Sequence, residues 1–233
     1  MVESIKELRK ICQEGASPGP YRVVSIYITK FLLYTPITAN QTTVLYIVIG
    51  LIAAVLFASG NYWWSLAAAI LAIISYILDY VDGEIARYRK HSSTGGMFLD
   101  LLAHSTINPS IIAGISLGIY RNYQDSRIFL FGFIASVSIG LFFNIISNKY
   151  FILTTKLREE RNSAKKVKKW NVKNKAYWFF NLFNFWYTPG ICHLILIFSI
   201  LDMLQIAIFF YAITTPIWII YIIYRNIKLL DRE

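Results

Sequence analysis

Cysteine and acidic residues are scarce in this chain of 233 residues. The two cysteines, Cys12 near the N terminus and Cys192 in an apolar stretch, lie in different surroundings, which excludes a disulfide framework and a cysteine metal pair. The 13 Asp and Glu residues are outnumbered by 23 Lys and Arg residues. The polar segment before Pro20 lacks the apolar core of a cleavable signal peptide. No internal repeat or low-complexity tract divides the sequence, so we expect one membrane domain.

Apolar residues, in contrast, make up 56% of the chain, and the mean hydropathy of +0.50 is too high for an ordinary soluble domain. Each long apolar stretch is at or above the roughly 20 residues that span a hydrocarbon core as a helix. The stretches run approximately over residues 42–78, 97–120, 128–153, 177–201 and 203–224. The first is too long for one span, and the turn-forming cluster at residues 59–62 divides it beside Trp63 and Trp64. The sequence therefore predicts six transmembrane helices.

The distribution of basic residues supports this arrangement. Six spans place both termini and the second and fourth loops on one side, and that side carries every Lys and Arg except Arg121 and Arg127. We therefore expect a multi-pass protein of a prokaryotic plasma (inner) membrane, with its termini and its site in the cytoplasm. Topology and anionic lipid account for the net charge of +10, so nucleic acid is not expected as a partner.

An amphipathic segment precedes the first span. Residues 21–34 combine an apolar face with Arg22 and Lys30 between two prolines, which predicts an interfacial helix lying along the membrane. The expected fold is therefore all-α. Residues 1–35 form a cytoplasmic N-terminal segment with the interfacial helix, and residues 36–233 form a six-helix membrane domain that carries the catalytic site.

Charged residues cluster between the second and third predicted spans, where charge near lipid is costly. Asp79 and Asp82 are three residues apart and therefore neighbours on one helix face. On the next helix a small or polar residue recurs at every fourth position: Gly96, Asp100, His104 and Asn108. This period aligns the four residues along one stripe of a helix. The two polar stripes can therefore face each other across the bundle.

Three carboxylates that converge at the rim of a bundle repel each other and need a counter-charge. A divalent cation supplies it, and oxygen ligands favour Mg²⁺, Mn²⁺ or Ca²⁺. Asp79, Asp82 and Asp100 therefore predict a metal site suited to phosphoryl chemistry. The alternative is ion pairing with the basic residues that follow: Arg87, Arg89 and Lys90.

The spacing of these residues forms a longer pattern: Asp79-x-x-Asp82-Gly83-x-x-Ala86-Arg87, eight residues, then Gly96-x-x-x-Asp100 and His104. It resembles the signature of the CDP-alcohol phosphotransferase (CDP-alcohol phosphatidyltransferase) family at seven of eight positions with every spacing preserved. The family has a fourth aspartate where this chain has His104. Residues 38–43 are similar to the family's Thr-Pro-Asn motif, with Ala39 in place of proline. The resemblance also implies six spans, an interfacial helix and a homodimer.

The resemblance implies a transferase that depends on Mg²⁺ or Mn²⁺ and makes a phospholipid or related phosphodiester. An acceptor hydroxyl attacks the phosphate of a CDP-linked donor, and CMP leaves. The donor is CDP-diacylglycerol or another CDP-linked alcohol, and the acceptor is a small polar or lipid alcohol in contact with membrane lipids. The metal ligands matched by position are Asp79, Asp82 and Asp100. The nucleotide-binding residues matched by position are Gly83, Ala86, Arg87 and Gly96, with Asn40 as a further candidate.

His104 replaces the aspartate considered the general base of the family, and Asp100 is the other candidate catalytic residue. Three interpretations compete. A neutral imidazole accepts a proton or binds a metal; the loss of a carboxylate leaves one metal instead of two; or catalysis is lost and binding remains. A purely structural alternative pairs His104 with Asn108, one turn further along the helix.

The acceptor site is the least defined part of the prediction. Candidates are the polar residues near the cytoplasmic ends of the helices: Asn108, Asn144, Asn148, Lys149 and Arg225. Snorkelling to set helix depth is an equal alternative for Lys149 and Arg225. His193 is expected deep in the fifth span, away from the acidic cluster. An alternative to the enzyme is an inactive family member that binds a CDP-lipid or a membrane partner. An ion-coupled transporter is disfavoured because the acids cluster at one face and no repeat is evident.

Overall fold

The computed structural model of the chain describes residues 2–13, 20–91, 93–162 and 185–230, and these residues form an all-helical fold. Within them lie eight helices: α1 (Ile5–Gln13), α2 (Pro20–Leu32), α3 (Ala39–Phe57), α4 (Tyr62–Tyr88), α5 (Thr94–Tyr123), α6 (Ser126–Asn162), α7 (Thr188–Ile200) and α8 (Leu204–Leu230). The all-α prediction is confirmed.

Among the described helices, four are long and apolar enough to cross a membrane. They comprise α3, α4, the part of α6 from Ser126 to Lys149, and the part of α8 from Leu204 to Lys228. The predicted division of the first apolar stretch is confirmed, because α3 ends at Phe57 and α4 begins at Tyr62. The chain therefore has several candidate spans of a multi-pass membrane protein, while the count of six stays a prediction.

The third and fifth predicted spans correspond to α5 and α7, and neither is both long and apolar enough to count as a candidate span. α5 has 30 residues, yet its first half carries the polar stripe, Pro109 follows at its middle, and it is not among the four candidates. α7 has 13 residues and is about 20 Å long at 1.5 Å per residue, which is shorter than a hydrocarbon core of roughly 30 Å. The fifth span was predicted from residue 177, and residues 177–184 lie outside the described part of the chain.

Side-chain caps fix the starts of the helices that carry the site. Thr38 caps α3 in a capping box, in which its hydroxyl accepts from the Gln41 amide and the Gln41 side chain accepts from the Thr38 amide. Asn61 caps α4 through the amides of Trp63 and Trp64. Ser93 caps α5 by accepting from the amide of Gly96. The motif of residues 38–43 thus has a local structural role at the start of α3.

Three turns meet at one end of the bundle, which we call the tryptophan end because Trp63 and Trp64 are exposed there. The Arg121 guanidinium donates to the Ala58 carbonyl oxygen at 2.8 Å, joining the α5–α6 turn to the α3–α4 turn. The Tyr62 hydroxyl donates to the Ile200 carbonyl oxygen at 3.3 Å, which adds the α7–α8 turn. The C-terminal end of α4 and the start of α5 therefore lie at the opposite end, which we call the motif end.

Helices α3 and α5 approach so closely that their backbones touch. A Cβ atom on Gly114 would lie 2.1 Å from the carbonyl oxygen of Ala54, and one on Gly118 would lie 2.2 Å from that of Phe57. The two glycines are four residues apart and form the small-xxx-small pattern of packed membrane helices. This approach brings α3 against α5 and so places the α3 side chains Thr43 and Tyr46 beside the acidic motif.

The helices α1 and α2 dock on α4 at the motif end through a buried carboxylate. Glu84 has no exposed surface and accepts from the Ser25 hydroxyl at 2.8 Å and the Thr29 hydroxyl at 2.6 Å on α2. The Gln13 side-chain amide at the end of α1 also donates to Glu84, at 2.8 Å, and the Arg22 guanidinium lies 3.8 Å away. The predicted amphipathic helix is present as α2, while α1 was not predicted.

His193 was expected deep in the fifth span, away from the acidic cluster, and it is not one of the three residues of that cluster. It lies six positions into α7, and its Nε2 atom forms a hydrogen bond with the hydroxyl of Tyr21 on α2. Tyr21 packs edge-on against Tyr76 of α4. The hydrogen bond of His193 with Tyr21 therefore joins α7 to α2.

Candidate functional site

The two polar stripes predicted from the sequence meet between α4 and α5. One ligand atom from each of Asp79, Asp100 and His104 lies within 4.8 Å of the others. At 1.5 Å per residue, Asp100 lies about 9 Å and His104 about 15 Å from the start of α5, so the cluster lies below the rim of the bundle. Asp100 is the most exposed of them, with 41% of its side chain accessible compared with 17% for Asp79. The cluster therefore opens to the surface past Asp100.

Helix α3 supplies hydroxyl groups to two of the carboxylates. The Tyr46 hydroxyl donates to Oδ1 of Asp100 at 3.1 Å, and the Thr43 hydroxyl donates to Oδ2 of Asp82 at 2.5 Å. The Tyr46 carbonyl oxygen in turn accepts from the Ser75 hydroxyl on α4 at 2.8 Å. Asp82 is buried and is not one of the three residues of the cluster. Its assignment as a metal ligand stays a prediction.

The His104 ring is fixed in orientation. Its Nδ1 atom lies 3.2 Å from the hydroxyl oxygen of Thr188 on α7, and its face stacks on Phe143 of α6 with ring centroids 5.8 Å apart. Its Nε2 atom is 3.6 Å from Oδ1 of Asp79 and 3.8 Å from Oδ1 of Asp100. These two distances are too long for hydrogen bonds. The imidazole therefore faces the carboxylates without bonding directly to either.

Asn108 bonds to the backbone of His104, one helical turn along, so the purely structural alternative stays open. The Asn108 side-chain amide donates to the His104 carbonyl oxygen at 3.1 Å, which is an ordinary contact one helical turn along. The same amide lies 3.5 Å from the Thr188 hydroxyl oxygen. A small cavity adjoins this group on the inner side of the cluster, between Tyr46, Tyr76 and Thr188.

The predicted nucleotide-binding residues lie in two places near the motif end. Gly96 and Asn40 are in close contact, since a Cβ atom on Gly96 would lie 2.8 Å from Oδ1 of Asn40. Gly83 lies beside the guanidinium of Arg87 on the same helix, and a Cβ atom there would be 3.3 Å from it. The Arg87 Nε atom donates to the carbonyl oxygen of Cys12 at the end of α1. Ala86 is half-buried in the last turns of α4.

Of the predicted acceptor residues, Asn108 lies at the cluster. Asn144 and Asn148 are exposed and hydrogen-bond to each other at 2.8 Å. Lys149 donates to the side chain of Asn226 on α8 at 2.9 Å, and Arg225 is exposed. Within the described residues, no hydrogen bond or ion pair joins these four side chains to the acidic cluster. Their role in binding an acceptor stays a prediction.

Comparison with known protein families shows which family has this motif. The sequence model of CDP-alcohol phosphatidyltransferase matches residues 36–218, which include α3, the acidic motif and α7. The chain belongs to the CDP-alcohol phosphatidyltransferase family. Comparison with curated proteins gives no match. The match supports the general activity of a membrane transferase that uses a CDP-linked alcohol and an alcohol acceptor.

The donor set of the cluster is compatible with the divalent metal typical of CDP-alcohol phosphatidyltransferases. Asp79 and Asp100 place two carboxylates close together, and such a pair is electrostatically unfavourable without a positive charge between them. Carboxylate oxygens suit Mg²⁺ and Mn²⁺, and an imidazole nitrogen is a ligand for transition metals. The chain therefore has a possible metal-binding group at the position where the family motif requires one.

Four side chains that contact the motif were not predicted from the sequence. They are Thr43, Tyr46, Phe143 and Thr188. The contacts of Thr43 and Tyr46 could have been suspected from the sequence, because these are polar residues three positions apart near the start of an apolar span. No sequence pattern indicated Thr188 or Phe143, since their contacts with His104 depend on how distant helices pack.

Proposed function

We propose that the protein is a CDP-alcohol phosphotransferase that moves a phosphatidyl or other phospho-alcohol group from a CDP-linked donor to an acceptor hydroxyl and releases CMP. The observation that carries the proposal is the cluster of Asp79, Asp100 and His104 on helices that also carry the family spacing. The donor proposed is CDP-diacylglycerol or a comparable CDP-lipid, because the cluster lies below the rim of a bundle of apolar helices.

Asp79, Asp82 and Asp100 are the residues proposed to bind Mg²⁺ or Mn²⁺. A bound divalent cation would supply positive charge next to the diphosphate of the donor. Tyr46 and Thr43 fix two of these carboxylates by donating hydrogen bonds, and the donated bonds leave the second oxygen of each carboxylate available. Gly83, Ala86, Arg87, Gly96 and Asn40 are proposed to line the nucleotide site.

His104 is proposed to act as the general base. The acceptor hydroxyl oxygen forms a bond to the phosphorus that bears the donor alcohol, and the bond from that phosphorus to the oxygen of CMP breaks. The electron pair of the broken bond leaves with CMP, and the hydroxyl proton passes to Nε2 of His104. Support for this role comes from the ring orientation, because Nε2 faces the two carboxylates while Nδ1 contacts Thr188.

The test is CMP release by the purified protein. The assay contains CDP-diacylglycerol, Mg²⁺ or Mn²⁺, and one acceptor at a time from glycerol phosphate, inositol, inositol phosphate, serine and extracted lipids. We expect CMP release that requires both a cation and one acceptor class. If no acceptor in the panel gives CMP release, but CDP-diacylglycerol binds in a cation-dependent way, the result would instead favour an inactive member that binds a CDP-lipid. The absence of both release and binding would contradict the proposal.

A further inference from the structure

Thr188 is the contact of His104 that lies furthest from it in the chain. The two residues are 84 positions apart, and their contact joins α7 to α5. Because α7 has only 13 residues, its first residue lies level with His104 rather than at the motif end. The Thr188 side chain is 9% exposed and therefore lies inside the bundle. A buried hydroxyl at this place is a fixed partner for the imidazole.

The side chain of Asn108 lies beside the Thr188 hydroxyl. The side-chain amide of Asn108 donates to the His104 carbonyl oxygen, so its nitrogen rather than its oxygen lies on that side. The same nitrogen lies 3.5 Å from the Thr188 hydroxyl oxygen, which can accept from more than one donor. Asn108 has 1% of its surface exposed. The three side chains thus form a row from the buried Asn108 and Thr188 to the partly exposed His104.

We infer that Thr188 is a positioning residue for His104: its hydroxyl oxygen accepts from Nδ1–H, so that the Nε2 lone pair faces the space between Asp79 and Asp100. This inference rests on the proposed function, since His104 accepts a proton at Nε2 only when its own proton is on Nδ1. A group that orients the second nitrogen of a functional histidine fixes the tautomer and the ring angle. Stacking on Phe143 restricts the remaining rotation of the ring.

The first experiment compares Thr188→Val with Thr188→Ser in the CMP-release assay. Valine keeps the shape of threonine and removes the hydroxyl, whereas serine keeps the hydroxyl. We expect Thr188→Val to lower kcat by about 10- to 100-fold with little change in KM, because orienting partners of this kind typically contribute that much. Thr188→Ser should retain activity near that of the unmodified protein.

A matched control is Thr215→Val in α8. Thr215 is fully buried, and its hydroxyl has no hydrogen-bond partner among the described residues. This substitution removes a buried threonine hydroxyl without affecting His104, so kcat should not change. Thermal unfolding of all three variants shows whether each protein folds, and the serine variant keeps the inference testable if the valine variant is unstable.

The second experiment measures the His104 tautomer directly and does not depend on turnover. The full chain is labelled with ¹⁵N at the histidine rings, and the His104 signal is assigned with His104→Ala in the presence of Mg²⁺ alone. We expect the Nδ1–H tautomer in the unmodified protein and in Thr188→Ser, and a mixture of tautomers in Thr188→Val. A dominant Nε2–H tautomer in the unmodified protein, or equal spectra and equal kcat for Thr188→Val, would overturn the inference. Absence of CMP release from every form would count against the proposed function, while the tautomer would still be measurable.

Discussion

The imidazole of His104 contacts three helices and is oriented by each. Its own helix α5 places it one turn from Asp100, α6 stacks Phe143 on the ring, and α7 brings the Thr188 hydroxyl to Nδ1. An aspartate at this position would be too short to keep the same contacts with Phe143 and Thr188. The surroundings of residue 104 are therefore adapted to a ring, which favours a functional role over simple loss of a carboxylate.

Substitution of His104 shows whether the residue acts as a general base or has only a structural role. We expect His104→Ala to lower kcat by about 10²- to 10⁴-fold, the usual contribution of a general base. His104→Asp should retain part of the activity, because a carboxylate also accepts a proton. The measurement is CMP release at saturating donor and acceptor, with thermal unfolding as the control for folding. Full activity of His104→Ala would exclude the base.

The sequence was sufficient to predict some of the residues that meet in the site. The spacing of Asp79, Asp100 and His104 predicted that they would converge, and they do. Asp82 follows the same spacing, yet in the structure its carboxylate bonds to Thr43 and lies outside the three-residue cluster. The partner of Nδ1 was not predictable, because only the length of α7 decides which of its residues lies level with His104.

Close packing of α3 on α5 is the feature of the helices that supports the site. The carbonyl oxygens of Ala54 and Phe57 occupy the space that a side chain on Gly114 or Gly118 would need. This contact fixes the distance between the two helices. The hydrogen bond from Tyr46 to Asp100 depends on that distance.

Gly114→Ala should therefore separate α3 from α5. The added methyl group would lie 2.1 Å from the Ala54 carbonyl oxygen, and backbone atoms cannot move aside as a flexible side chain does. We expect a loss of stability of about 1–3 kcal/mol, the usual cost of overpacking. The measurement is thermal or denaturant unfolding in detergent. Gly95→Ala is the matched control, because the nearest atom to its Cβ is 4.0 Å away; equal stability of the two variants would contradict this account.

Helix boundaries were predictable where local chemistry sets them. The turn at residues 59–62 was evident from its glycine and asparagine, and Asn61 indeed caps α4. The start of α7 at Thr188 was not predicted, although Pro189 directly after it is a common residue of a first helical turn. Helix α1 was also missed: its buried residues Leu8 and Cys12 are too few to stand out in a polar segment.

Across the whole molecule, the two ends of the bundle differ in charge and in content. The tryptophan end has exposed Trp63 and Trp64 and the ion pair of Arg127 with Asp125 at 2.8 Å. The motif end has the acidic motif and, among the described residues, the basic side chains of Arg22, Arg87 and Arg89. The rule that basic loops face the cytoplasm predicts that the motif end lies inside the cell.

Thiol labelling of intact cells tests this orientation. We expect Tyr123→Cys, at the tryptophan end, to react with an impermeant reagent from outside, and His91→Cys, at the motif end, to react only after the cells are opened; both positions are exposed. The native thiols give little background, because both cysteines are buried and burial raises the pKa of Cys12 to about 11. The reverse labelling pattern would contradict the predicted topology.

The acidic cluster is proposed to bind the divalent cation required for transfer. The most direct test of this proposal compares Asp100→Asn with Asp125→Asn in two assays: Mn²⁺ binding followed by electron paramagnetic resonance, and CMP release. Both substitutions remove one carboxylate charge, but Asp125 lies at the tryptophan end and pairs with Arg127.

We expect Asp100→Asn to weaken Mn²⁺ binding by at least about tenfold and to lower CMP release by about 100-fold or more, because a charged ligand is lost at the reacting phosphates. Asp125→Asn should match the unmodified protein in both assays. Unchanged Mn²⁺ binding and unchanged turnover in Asp100→Asn would contradict the account.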